Sequence, residues 1–106
     1  MFVRSVSLYL KPNAMAEFLK LMDSEIIPLL RTQKGFQDAI TLAVPGGREI
    51  VAISFWEQEE NARAYTTTGY LEALKILEQL LDGAPHVRTL DVVSSTIHKV
   101  PSRMAA

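Results

Sequence analysis

An α+β domain of order β-α-β-β-α-β, with one antiparallel four-stranded sheet and its helices on one face, is predicted by three observations. Four stretches carry the two-residue period of strands, and two regions carry apolar residues at helical spacing. Glycines and prolines fall between them, where turns and caps need them. This order is the ferredoxin-like split. At 106 residues there is room for one hydrophobic core.

The first strand, Phe2 to Lys11, sets Val6, Leu8 and Leu10 against Ser5, Ser7, Tyr9 and Lys11 on the opposite face. Pro12-Asn13 ends it, and Asn13 is suited to cap the helix that follows. From Met15, the residues Phe18, Leu19, Met22, Ile26, Leu29 and Leu30 recur at helical spacing, with Glu17, Lys20, Asp23 and Glu25 on the solvated side. Pro28 cannot donate to the Ser24 carbonyl, so the helix is expected to loosen there. Lys34-Gly35 should stop it. Two strands follow around a Pro45-Gly46-Gly47 turn. Phe36 to Val44 alternates Ile40, Leu42 and Val44 with Ala39, Thr41 and Ala43. Ile50 to Trp56 is apolar on both faces except at Ser54.

The second helical region has two parts. Glu57 to Thr66 is charged, Thr66-Thr67-Thr68-Gly69 interrupts it, and Tyr70 to Leu81 carries the broad stripe Tyr70, Leu74, Leu77 and Leu81. Gly83-Ala84-Pro85 closes it. Val87 to Ile97 reads as the last strand. The domain is expected to span residues 1–98, with 99–106 as a flexible C-terminal tail.

Composition narrows the function. Eleven Lys+Arg against twelve Asp+Glu leave a net charge of -1, without the basic excess of a nucleic-acid binder. The absence of cysteine excludes disulfides, thiolate metal sites and Cys nucleophiles. His86 and His98 have no carboxylate at ligand spacing, so no metal is expected. No glycine-rich phosphate loop is present and no cofactor is expected. No stretch is long and apolar enough for a membrane helix, and no signal peptide is evident, so the expected location is cytoplasmic. The two-sided apolarity of Ile50 to Trp56 leaves a second sheet face needing cover. A second copy of the chain is the simplest cover, which predicts a homodimer.

Several short motifs occur in order: Leu10-Lys11-Pro12 leading to Glu17-Phe18-Leu19, then Ile27-Pro28 and Gly35-Phe36. Ser54-Phe55-Trp56-Glu57, Ala64-Tyr65, Gly69-Tyr70 and Val87-Arg88 complete the series. In this order and spacing the chain resembles the antibiotic biosynthesis monooxygenase domain of the dimeric α+β barrel superfamily, from about Val3 to His98. The resemblance implies two sheets facing each other across a dimer, and a pocket between sheet and helices in each subunit. It further implies cofactor-independent oxygenation of quinols or aromatic polyketides, a non-catalytic role in binding a small aromatic ligand, or haem binding. The polyketide-type site has an Asn, a Trp, a Tyr and an Arg. Here those positions read Ala52, Trp56, Ala62 and Leu71. In haem-degrading members the Asn and His positions fall near Val6 and Lys75, and the aromatic one at Tyr65.

The candidate site residues are therefore Trp56, Tyr65, Tyr70 and His98. Trp56 closes an apolar strand and reads first as a packing residue at the strand–helix corner. Tyr65 and Tyr70 flank the threonine-rich break, where their phenols can share one cavity lined also by Leu74. His98 is an imidazole expected on the last strand, read as a general base or as an interface histidine. Arg63 reads as a surface partner of Glu59 or Glu60, and His86 as a loop residue.

Overall fold

β1 (Phe2–Tyr9) lies inside the sheet, between β3 (Glu49–Trp56) and β4 (His86–Asp91), and β2 (Phe36–Ala43) pairs with the other side of β3. The order is β2-β3-β1-β4 and every pairing is antiparallel. The computed structural model describes residues 1–98 and Val100; the rest of the expected tail, Lys99 and 101–106, lies outside the described residues. The sheet carries its helices on one face, the ferredoxin-like α+β fold.

Register decides which side chains meet the helices. Arg4 pairs with Ser54 and Thr89, Val6 with Ala52 and Val87, and Leu8 with Ile50, so these residues share the inner face. On β2 a bulge between Phe36 and Asp38 resets the alternation. Both Phe36 and Ala39 thereby point inward, opposite Trp56 and Ser54.

The first helical region is one rod of three pieces: α1 (Met15–Leu21), a π-helical turn over Met22–Ile26, and α2 (Ile27–Arg31). The wider turn falls directly before Pro28, where the missing N–H made loosening expected. It does not disturb the buried row of Phe18, Met22, Ile26 and Leu30. Asn13 does not cap this rod. It adopts φ +63°, Ala14 holds the cap position, and no side chain bonds the first turn. Gly35 ends the connection at φ +80°.

After β3 come α3 (Glu59–Thr67), α4 (Gly69–Leu77) and a single 3₁₀ turn at Glu78–Leu80. α3 starts with a reciprocal cap, in which the Gln58 N–H donates to Asn61 Oδ1 at 3.1 Å. The last strand is shorter than the alternation of Val87 to Ile97 suggests. Pairing with β1 ends where Phe2 meets Asp91, and one further bond runs from the Val92 N–H to the Met1 carbonyl. Residues 92–98 leave the sheet edge, and His98 comes to rest over Phe55.

Gly35 allows a test of how tightly the two halves join. Its carbonyl accepts from the Glu57 N–H at 2.8 Å, and a Cβ there would overlap the capping side chain of Asn61. Gly35→Ala should therefore cost about 2 kcal/mol, from the positive φ and the disturbed cap together. Urea unfolding with an unchanged midpoint would show that the junction is slack.

Candidate functional site

Arg4 stands on the inner face of β1 in the same phase as Val6, Leu8 and Leu10, and it is only 2% exposed. Its Nε donates to Thr66 Oγ1 at 2.9 Å. Its guanidinium carbon lies 3.9 Å from the centre of the Tyr70 ring and 5.2 Å from that of Tyr65, so two π faces meet the charge. Nη2 is buried and finds no hydrogen-bond acceptor among the described residues. No carboxylate there pairs with Arg4 either; the ion pairs are Arg48–Asp82, Arg63–Glu59 and His98–Asp38.

The helix break places the two phenols. Thr66, Thr67 and Thr68 turn their hydroxyls back onto α3: Thr66 to the Ala62 carbonyl at 3.0 Å, Thr67 and Thr68 to that of Ala64 at 3.1 and 2.8 Å. The two bonds to Ala64 occupy a carbonyl the helix end would otherwise leave open, and the chain turns at Thr68 into α4. Because the Thr66 hydroxyl gives its proton to Ala62, its lone pairs face Arg4. Gly69 then lets the backbone approach the Tyr65 ring, where a Cβ would stand 2.8 Å from a ring carbon.

Between sheet and helices lies a cavity of about 60 Å³, or about 600 Å³ of empty space with its open mouth included. Its long wall is apolar, built from residues such as Phe18, Met22, Ile26, Leu74 and Leu77. Arg4, Thr41, Ser54, Tyr65 and Tyr70 supply the polar lining, and among the described residues no carboxylate or histidine contributes. Burial pushes the Tyr65 phenol up to about 12, against the pull of Arg4. Tyr70 is raised for the same reason, again opposed by Arg4. Burial also lowers the Arg4 guanidinium from its ordinary value, and the nearby phenols act against this. At neutral pH both tyrosines therefore keep their protons and can donate; neither is a base.

Of the residues singled out in the sequence, Tyr65, Tyr70 and Leu74 line this cavity together. Trp56 is fully buried and stands behind Tyr65, ring centres 5.1 Å apart. It meets Phe36 edge-on at 5.7 Å, and its Nε1 donates to Ser54 Oγ at 2.9 Å. His98 belongs to the opposite face of the sheet, against Phe55 at 4.9 Å and Asp38 at 3.0 Å. His86 is exposed, and Arg63 bonds Glu59 across one helical turn at 3.2 Å. Ala52 forms part of the cavity wall, Ala62 is buried, and Leu71 is 54% exposed on the solvent side of α4. Among the described residues no three His, Asp or Glu side chains group to hold a metal. Arg4 went unread as a site residue, although its phase on β1 marks it as inward.

The Tyr65 shift predicts a pH dependence of stability. Unfolded, the phenol loses its proton near pH 10; folded, it holds it to about 12. The folded state is thus fully favoured below pH 10 and loses roughly 2–3 kcal/mol as pH rises to 12. Tyr65→Phe should flatten that fall, and parallel urea midpoints for both proteins between pH 9 and 11 would refute it.

The comparisons with known proteins fit this architecture. A monooxygenase from the gene ActVA-Orf6 of Streptomyces coelicolor, in complex with nanaomycin D, superposes with a TM-score of 0.75 at 23% identity, covering 95% of this chain and 92% of that one. A variant of SnoaB, a cofactor-independent oxygenase from Streptomyces nogalater, gives 0.73 at 19% identity, over 92% and 98%. A variant of MhuD carrying two manganese protoporphyrin IX molecules per active site gives 0.73 at 17%, over 91% and 98%. At these identities the likeness establishes the fold. No sequence among the curated proteins matches this chain. No helix among the described residues is long and apolar enough to cross a membrane. The profile described as antibiotic biosynthesis monooxygenase matches residues 1–76, well over half of the sequence, and the chain belongs to that family.

Proposed function

We propose that this protein is a homodimeric, cofactor-independent monooxygenase that takes an electron-rich aromatic molecule, a quinol or an anthrone, into the cavity between sheet and helices. The observation that carries the reading is the convergence of Tyr65, Tyr70 and Arg4 on an otherwise apolar cavity in a member of this family. A flat ring suits the apolar wall, and the polar end suits its oxygen substituents. The substrate supplies the electrons. Its proton passes to water at the open mouth of the cavity, the resulting anion passes one electron to O2, and the caged radical pair combines at carbon. For an anthrone, the CH2 group becomes C=O and the second oxygen atom leaves as water. The protein's part is to orient the ring, exclude bulk water and donate hydrogen bonds from the phenols to the developing oxyanion.

A non-catalytic ligand-binding role is the second reading, favoured by one observation. Ala52 lines the cavity and Ala62 is buried at positions where the family resemblance would set polar groups, and Leu71 points to solvent. The family's polar set is thus reduced to what Tyr65, Tyr70 and Arg4 can supply.

The dimer rests on the sheet's other face. Ile40, Leu42 and Val44 are 42–48% exposed there, beside Val51, Ile53 and Phe55 of β3. Two copies facing each other would close a barrel and hide more than ~2,000 Å². Sedimentation at low micromolar concentration should give twice 11.8 kDa, and Leu42→Asp should shift it toward the monomer. A folded wild-type monomer would remove this part of the reading.

For the chemistry, an oxygen electrode with dithranol should record slow, enzyme-dependent uptake of one O2 per substrate that a chelator does not reduce. Tyr70→Phe should slow it about tenfold or more. Uptake no faster than without protein would leave the ligand-binding role.

A further inference from the structure

We infer that Arg4 is an anion anchor, and that the cavity selects ligands carrying a carboxylate or phenolate on an apolar body. This rests on the reading of the cavity as the ligand site, and it does not depend on oxygen chemistry.

Three features of the guanidinium lead to it. The group is almost wholly buried yet has no carboxylate partner among the described residues. Its Nε is held by Thr66, and its faces are met by the rings of Tyr70 and Tyr65. That leaves the Nη2 edge, which has no acceptor among the described residues and belongs to a residue lining the cavity. A structural arginine in a core is ordinarily satisfied at each donor, because an unpaired buried N–H is costly. An oxyanion seated at Nη2 would supply both the missing acceptor and the missing charge. The Tyr70 phenol also meets the guanidinium through a side-chain hydrogen bond, but both phenols keep their protons at neutral pH, so they leave the positive charge uncancelled and can add donors.

Selectivity follows from the same geometry. A neutral ligand of equal shape would bury the cation still further without pairing it, so the site should reject it. Among the described residues the cavity lining gives no other charged group for an anion to meet. A phenol that binds here is also held as its phenolate, since the fixed positive charge favours the ionised form.

Equilibrium binding under argon tests this without turnover, using 2-naphthoate, its neutral counterpart 2-naphthamide, and 2-naphthol, each measured by calorimetry. Wild type should bind 2-naphthoate at least tenfold more tightly than 2-naphthamide. Arg4→Met should abolish that preference, and Arg4→Lys should keep part of it. Equal affinities in wild type, no binding of either anion, or a preference that survives in Arg4→Met would overturn the assignment. Should Arg4→Met fail to fold by circular dichroism, the wild-type comparison and Arg4→Lys decide alone. The 2-naphthol arm separates the sources. Bound phenolate absorbance at a pH where the free compound is neutral identifies a phenol site. Binding of naphthoate alone identifies a carboxylate site. Anion preference without dithranol turnover would defeat the oxygenase reading only, and turnover without anion preference would defeat the anchor only.

Discussion

The burial of one positive charge, on Arg4, is the constraint around which the helix face is arranged. Moving an ammonium-sized ion out of water costs several kcal/mol even after the protein relaxes. One hydrogen bond donated to Thr66 and two aromatic faces offset part of this, at ~0.5–2 kcal/mol per cation–π contact. Each of those partners depends on the interruption between α3 and α4. An unbroken helix would carry Tyr65 and Tyr70 around its axis by five residues, more than a full turn, with no freedom to bring both rings to the same guanidinium. The threonine hydroxyls stop α3, and Gly69 lets the ring of Tyr65 lie against the start of α4. Trp56 then backs Tyr65 from the sheet side, so the ring has little room to turn.

The space in front of Arg4 has an equally local origin. Where β2 and β3 face the helices, the neighbouring pairs are Ala39 with Ser54 and Thr41 with Ala52. All four side chains are small, while Ile50 and Trp56 at either end of β3 are fully buried. A row of small residues between two large ones leaves a hollow that the long side chains of α1 and α4 roof but do not fill. Ala52 is therefore more than the loss of a polar group: its size is part of what opens the cavity.

Much of this was legible in the sequence. The period-two stretches, the helical stripe from Phe18 to Leu30 and the glycine and proline boundaries all report local backbone preference and burial, and they became the strands and helices found. The lining of the cavity was legible at Tyr65 and Tyr70, because aromatic residues flanking a helix break pack against their surroundings. Arg4 stands in phase with Val6 and Leu8, so alternation places its charge on the inner face, but not beside which rings it comes to rest. The early end of β4 was out of reach for another reason. Val92, Val93 and Ile97 favour extended backbone by themselves, but pairing with β1 ends at Phe2 and Asp91, and a strand is held only where it has a neighbour. The π-helical turn was foreseen only as a loosening, since a missing donor does not specify which irregularity accommodates it.

The position of β1 in the sheet also governs the order in which the chain can assemble. Phe2 pairs with Trp56 on one side and with Asp91 on the other. During synthesis, β1 therefore emerges long before either neighbour exists, and its second edge waits for nearly all of the described chain. Such distant pairings are slow to form because a long loop must close first. Until then the strand exposes two edges and the valine and leucine side chains of its inner face, a combination that invites association with other chains. Arg4 moderates that interval. A hydrated guanidinium in the middle of an apolar strand keeps it soluble while it waits, and it loses its water only when α3 brings Thr66 against it.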